Sequence, residues 1–248
     1  MRRKVVAGNW KMHGSSASVR ALMDGLDGKL IGRDADVVLF PPAVFLVSVV
    51  ERARRMNVAV GAQSIHSEAR GAFTGEIAAE MVSDIGATHA LVGHSERRHG
   101  FGESDAVVAA KFGAARRAGL VPVLCVGETL AERDAHRAIE VVRRQVAAVI
   151  ERHGIGALTD AVIAYEPVWA IGTGQNATPA DAATMHAAVR VFVAGIDASV
   201  ASTLRILYGG SVTRDNARAL LSMQGVDGVL VGGASLDAAH FAAIYESV

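Results

Sequence analysis

Cysteine is nearly absent: Cys125 is the only one in 248 residues. That excludes an intrachain disulfide and any zinc site built on cysteine pairs. Net charge is absent as well, because 25 basic and 25 acidic residues cancel. No basic stripe interleaved with aromatics marks a nucleic-acid surface, and arginine clusters such as Arg52, Arg54 and Arg55 read as solvated helix faces. The longest apolar run, residues 37–50, is broken by Pro41, Pro42 and Ser48, so no membrane span is expected. The opening Met-Arg-Arg-Lys looks like the basic start of a signal peptide. Only three apolar residues follow before Gly8, and no signal peptide is expected. There is no Pro/Gly/Ser-rich linker and no internal sequence repeat. These absences describe a soluble chain of a reducing compartment, expected in the cytoplasm.

What is present is a rhythm. Short β-branched runs at residues 5–9, 36–40, 58–62, 89–93, 121–126, 161–165, 204–208 and 228–231 alternate with longer Ala-rich segments. The runs are continuously apolar, as parallel strands covered on both faces require. The segments between them carry helix punctuation. Thr129 with Glu132 has capping-box spacing, and Thr178-Pro179 reads as a cap and first helical residue. Ser104 caps a helix predicted over 105–118 that Gly119 ends, and Thr213 and Ser235 are further cap candidates. Further helices are predicted over 19–30, 44–56 and 79–85. Eight such units predict one domain over 1–248, a (β/α)8 barrel of eight parallel strands surrounded by helices. A doubly wound open sheet is the alternative. It would carry a glycine fingerprint after its first strand, and Gly8-Asn9-Trp10-Lys11-Met12-His13-Gly14 is not one. One long connection, residues 63–78, breaks the rhythm. Its Phe73 lies between glycines and reads either as an arm for a partner or as a loop folded on its own phenylalanine.

In a (β/α)8 barrel the chemistry collects at the carboxyl ends of the strands. Those ends hold Asn9 and Lys11, then His94, Ser95 and Glu96, then Glu166, Ser211 after Gly209-Gly210, and Gly232-Gly233. Glu166 is the most pointed of these. Pro167 stops the strand behind it, and Val168, Trp169, Ala170 and Ile171 lead into Gly172-Thr173-Gly174. An apolar loop with a rigid start and a permissive end reads as a lid, and a carboxylate beneath it would be desolvated and raised in pKa. The competing reading is a buried turn that packs its tryptophan into the core. Singly, Lys11 also reads as a snorkelling surface lysine and His94 as a structural histidine. Glu96, Arg97 and Glu103 read as an ion-pair network, the double glycines as turns, and Cys125 as a small buried apolar residue.

Taken in order, Asn9-Trp10-Lys11-Met12, Gly93-His94-Ser95-Glu96-Arg97-Arg98, the stretch from Ala164 to Gly174, Tyr208-Gly209-Gly210-Ser211-Val212 and Leu230-Val231-Gly232-Gly233-Ala234-Ser235-Leu236 closely resemble the triosephosphate isomerase family. Gly71 to Glu76 and Cys125-Val126-Gly127-Glu128 fit it too, so the resemblance covers essentially the whole chain. It implies the TIM barrel fold and interconversion of dihydroxyacetone phosphate and D-glyceraldehyde 3-phosphate, in glycolysis and gluconeogenesis. It implies Glu166 as the proton acceptor, His94 as the electrophile, Lys11 as the electrostatic group and Asn9 as a pocket residue. It implies phosphate binding at Gly172, Ser211, Gly232 and Gly233, and a lid from Pro167 through Val168, Trp169, Ala170, Ile171, Gly172 and Thr173 to Gly174. No metal or organic cofactor is expected, because the isomerisation is redox-neutral. A homodimer through the loop around Phe73 and Thr74 is implied. The sequence departs from the common pattern at His13 and at Gln175-Asn176, both peripheral to the chemistry. Two other readings remain at this point: an aldolase working through a Schiff base on Lys11, and a non-catalytic sugar-phosphate binder.

Overall fold

β-Branched runs at regular spacing need partners on both edges, and a sheet closed on itself supplies them. The computed structural model describes residues 2–170 and 177–248. Its strands are β1 (Lys4–Asn9), β2 (Ala35–Phe40), β3 (Ala59–Ala62), β4 (His89–Val92), β5 (Val121–Val126), β6 (Val162–Tyr165), β7 (Arg205–Tyr208) and β8 (Gly228–Val231). Each pairs in parallel with the next, and β8 returns to β1 with Val5 opposite Gly228. The open-sheet alternative fails on that last pairing.

Alternation along each strand divides the apolar residues between two cores. Val5, Ala7, Val38, Phe40, Leu91, Val123, Cys125, Val162, Ala164, Leu207 and Leu230 fill the barrel interior. Their neighbours, among them Val6, Leu39, Val92, Ile163 and Ile206, face the surrounding helices. Cys125 is fully buried, as expected of a small apolar residue.

The helices start where their own sequence caps them. Thr129 and Thr178 each form a reciprocal capping box, with Glu132 and Asp181. Ser104 accepts from the Val107 N–H at the head of the helix Asp105–Arg117. The segment predicted over 19–30 is a helix at Ser16–Leu26, because Ser15 and Ser18 form an earlier capping box. Two cap expectations are corrected. Thr213 does not open a helix: its N–H is taken by Asn216 Oδ1 at 2.9 Å, and Asn216 stands before the helix Ala217–Leu221. Ser235 lies inside a 3-10 turn, and Asp237 caps the helix Ala238–Glu246 by accepting from the His240 N–H.

The long connection folds partly on itself. His66 bridges to Ala78, and the Phe73 ring sits 4.2 Å from the His66 ring while keeping 44% of its surface exposed. Among the described residues, no helix is long and apolar enough to cross a membrane.

Candidate active site

Pro167 cannot donate to a sheet ladder, so β6 ends at Tyr165 and Glu166 is released at the barrel mouth. The Glu166 backbone still donates to Val126 O at 2.7 Å, which holds its side chain inward and 2% exposed. His94 arrives from β4 through Gly93 and caps the short helix Ser95–Gly100, which the sequence reading did not separate as an element. Its Nδ1 accepts from the Glu96 N–H at 3.3 Å, so the neutral ring carries its proton on Nε2. That nitrogen stands 3.0 Å from Glu166 Oε1, and the Ser95 N–H donates to Oε2 at 2.8 Å.

These contacts correct one expectation. Burial does push the Glu166 carboxyl upward, but the His94 ring and the Ser95 N–H outweigh it and hold the pKa below the ordinary glutamate value. For His94, burial works against the charged ring. The carboxylates of Glu166 and Glu96 favour it and prevail, so the imidazole lies above its ordinary pKa in this arrangement.

Lys11 reaches the same cavity at some conformational cost. Its φ of 53° is in the left-handed region, which side chains other than glycine rarely occupy. Three hydrogen bonds hold it there: its N–H donates to Asn9 Oδ1 at 3.0 Å, and Gln63 Nε2 donates to Lys11 O at 2.8 Å and to Phe40 O at 2.9 Å. Its ammonium meets Glu96 Oε1 at 2.6 Å. Glu96 is therefore not part of the expected network with Arg97 and Glu103. Arg97 does pair with Glu103 at 2.7 Å, and the second cation there is the buried Lys111, at 2.6 Å.

A cavity of about 330 Å³ joins Asn9, Lys11, His94 and Glu166 to Ser211, Gly232 and Gly233. Gly209 keeps it open, since a Cβ there would stand 3.0 Å from Glu166 Cγ and 3.2 Å from the Tyr165 carbonyl oxygen. Gly233 begins the 3-10 turn Gly233–Leu236, whose leading N–H groups lack intrahelical acceptors and suit an anion.

The first part of the segment that the sequence suggests as a lid is a 3-10 turn at Val168–Ala170. Trp169 Nε1 donates to Glu128 Oε1 at 2.8 Å, and Tyr165 Oη donates to the same oxygen at 3.1 Å. The Arg133 guanidinium lies 4.2 Å over the Trp169 ring. Ile171, Gly172, Thr173, Gly174 and Gln175 lie outside the described residues. In the sequence Glu128 stands only as part of the Cys125–Glu128 motif, with no role given to it. It follows β5, at a strand end like the others, and that position was the available signal. Among the described residues, no group of three or more His, Cys, Asp and Glu side chains is placed to hold a metal ion.

A base, an imidazole and a cation on three different strand ends, beside two double-glycine loops, can move a proton next to a carbonyl and hold the charge that develops. The chain matches the triosephosphate isomerase family model over residues 4–248. A protein of Ectopseudomonas mendocina (strain ymp) named triosephosphate isomerase is 54% identical over 245 residues, with 98% of each chain covered. Proteins of the same name from Pseudomonas putida (strain W619) and Dechloromonas aromatica (strain RCB) are 51% and 52% identical, again over 98% of each chain. Matched from its first strand to its last helix, and at that identity, this chain belongs to the triosephosphate isomerase family.

Proposed function

We propose that this chain interconverts dihydroxyacetone phosphate and D-glyceraldehyde 3-phosphate, within glycolysis and gluconeogenesis in the cytoplasm. The observation that carries the reading is the single cavity in which buried Glu166 and His94 face Lys11 and the glycine loops. Glu166 takes a proton from the carbon beside the carbonyl and returns it to the neighbouring carbon. To reach substrate it gives up its bonds to His94 and Ser95, which makes it a stronger base at the moment of use. Once that carboxylate has turned away, burial, the largest effect, and the Lys11 charge favour a neutral His94 ring against the remaining Glu96 carboxylate. Its Nε2–H then donates to each enediolate oxygen in turn, while Lys11 meets the negative charge. Ser211, Gly232 and Gly233, with Gly172 of the lid, hold the phosphate through backbone N–H groups. The lid from Pro167 to Gly174 excludes water, which protects the enediolate from losing phosphate.

The test is deuterium wash-in to dihydroxyacetone phosphate in heavy water without added cofactor. Exchange together with formation of glyceraldehyde phosphate is expected. Its absence would remove the assignment and leave a binder. The aldolase reading is disfavoured by Lys11, which is held against Glu96 as a fixed cation.

We also propose a homodimer through the loop around Phe73 and Thr74. Its support is a second cavity of about 330 Å³ beside the first, walled by Lys11, Met12, Gln63, Glu76 and Phe101. Met12 and Phe101 are 94% and 71% exposed there, an apolar surface that a partner's Phe73 arm would cover. Phe73→Arg should sediment as a monomer and lose activity. A dimer that survives the substitution would rule this contact out.

A further inference from the structure

The backbone pairing between β5 and β6 runs on past the ends of both strands. Val126 lies opposite Tyr165, the last pair of the ladder. Beyond it the Glu166 N–H donates to Val126 O at 2.7 Å, and the Val168 N–H donates to Glu128 O at 3.1 Å. Glu166 is thus seated between two rungs, with Gly127 beside it. The fit is close, since a Cβ on Gly127 would stand 1.7 Å from the Glu166 carbonyl oxygen. Backbone groups alternate in direction along a strand, so those of Gly127 point away from β6, toward β4. There β4 has already stopped, at Val92 opposite Leu124. Side chains continue the edge in its place. Arg98 Nη2 donates to Cys125 O at 3.2 Å. At Gly127 the replacement is complete: Gln145 Oε1 accepts from the Gly127 N–H at 2.8 Å, and Gln145 Nε2 donates to Gly127 O at 3.1 Å. Gln145 belongs to the helix Ala138–His153 and is buried.

One primary amide therefore pairs with both polar groups of one residue, as a residue of a neighbouring strand does. The clamp matters at this position because glycine has no side chain to pack and has the widest backbone freedom. A buried N–H or C=O left unpaired costs more than a hydrogen bond contributes, so Gly127 is held wherever the Gln145 amide holds it. One side of Gly127 is fixed by Gln145, and the other is the surface against which the Glu166 backbone lies. From that backbone the carboxylate reaches His94 Nε2 at 3.0 Å and the Ser95 N–H at 2.8 Å. We propose that Gln145 is a positioning residue for Glu166, acting through Gly127 as a side-chain substitute for the strand that β4 does not supply. Its catalytic meaning rests on the isomerase reading, which makes Glu166 the base.

Gln145→Leu removes both bonds while leaving the helix an apolar side chain to pack. The measurements are steady-state kinetics with triose phosphate and a carboxyl carbon-13 NMR titration of Glu166, on the full chain beside wild type. Turnover should fall by about 10- to 100-fold with KM changed by less than about threefold, because a displaced base harms mainly the transition state. Burial raises the Glu166 carboxyl, and the His94 ring and Ser95 N–H outweigh it in the intact site. As those contacts loosen, the Glu166 titration should move to higher pH. Gln145→Asn, which keeps an amide but withdraws it by one methylene, should move both readings in the same direction, and it carries the test where the leucine variant does not fold. A folded variant with lowered thermal stability but wild-type turnover and an unmoved Glu166 titration would make Gln145 a packing residue only and overturn the proposal. Wild-type protein without isomerase turnover would remove the isomerase reading alone, and the Glu166 titration would still decide whether Gln145 positions that carboxylate.

Discussion

At the scale of single residues, the site combines groups whose neighbours oppose their ordinary preferences. Lys11 is the clearest case. A left-handed conformation costs a side-chain-bearing residue about 1–2 kcal/mol, and glycine escapes that cost at an entropic penalty of about 0.5–1 kcal/mol. Lys11→Gly should therefore leave the unfolding free energy unchanged or raise it by up to about 1 kcal/mol, allowing for the partly exposed Glu96 pair. Turnover should fall by about 100-fold or more, because a cation facing the developing charge is lost. Urea unfolding and steady-state kinetics on one sample would separate the two effects, and a large loss of stability would contradict the strain argument. Glu166→Asp shortens the base by one methylene and should lower turnover by about 100-fold with little change in KM. Unchanged turnover would remove Glu166 from its role. Asn9, Lys11, His94 and Glu166 were legible because each stands directly after an apolar run, where a barrel gathers its polar groups. The lowered pKa of Glu166 was not legible, because it depends first on the His94 ring and then on the Ser95 N–H, which the chain places 71 positions earlier.

At the scale of elements, the Val168–Ala170 turn and β6 share an anchor. Glu128 receives Trp169 from one and Tyr165 from the other, and burial pushes its carboxyl above the ordinary value despite these donors. Glu128→Ala leaves both donors without this acceptor. It should cost about 1–3 kcal/mol in chemical denaturation and change the emission of Trp169. Turnover should fall less than in Glu166→Asp, since no reacting group is touched. A variant with wild-type stability and emission would show that Glu128 anchors nothing. Helices whose caps lie within their own sequence, such as those opened by Thr129, Thr178 and Ser104, could be placed from sequence. Short elements fixed by contacts to other strands could not. The six-residue helix behind His94, whose Ser95 N–H meets Glu166, and the turn whose Ser235 hydroxyl reaches Asn9 O at 3.5 Å both carry such contacts.

At the scale of the whole molecule, the buried histidines tie stability to acidity. His186 is fully buried. Its Nδ1 donates to Gly225 O at 3.1 Å, and its Nε2 has no partner among the described residues. Burial, as the largest effect, lowers its pKa from 6.5 to about 4. Between those two values the unfolded chain holds a proton that the folded chain does not, so stability rises with pH across that window. Read downward, the fold loses up to about 3 kcal/mol from this residue as pH falls from 6.5 to 4. His186→Gln should flatten the curve of unfolding free energy against pH in that range, and an unchanged slope would clear His186 of responsibility. The alternation of strands and helices made the barrel legible from sequence. The return of β8 to β1 was legible only as the closure that eight such units imply.

That return has a consequence for how the chain comes into being. Arg2 meets Asp227 at 2.7 Å across 225 positions of sequence, beside the strands that seal the ring. Until the last strand has left the ribosome, β1 and its growing sheet have an open edge with unpaired backbone groups. Sealing the ring joins nearly the two ends of the chain, a slow class of contact to form. A chain released before β8 lacks that strand and the Gly232-Gly233 loop together, so it has neither a closed fold nor a complete cavity at the barrel mouth. Such fragments should surface in aggregates and on chaperones rather than as partly active enzyme.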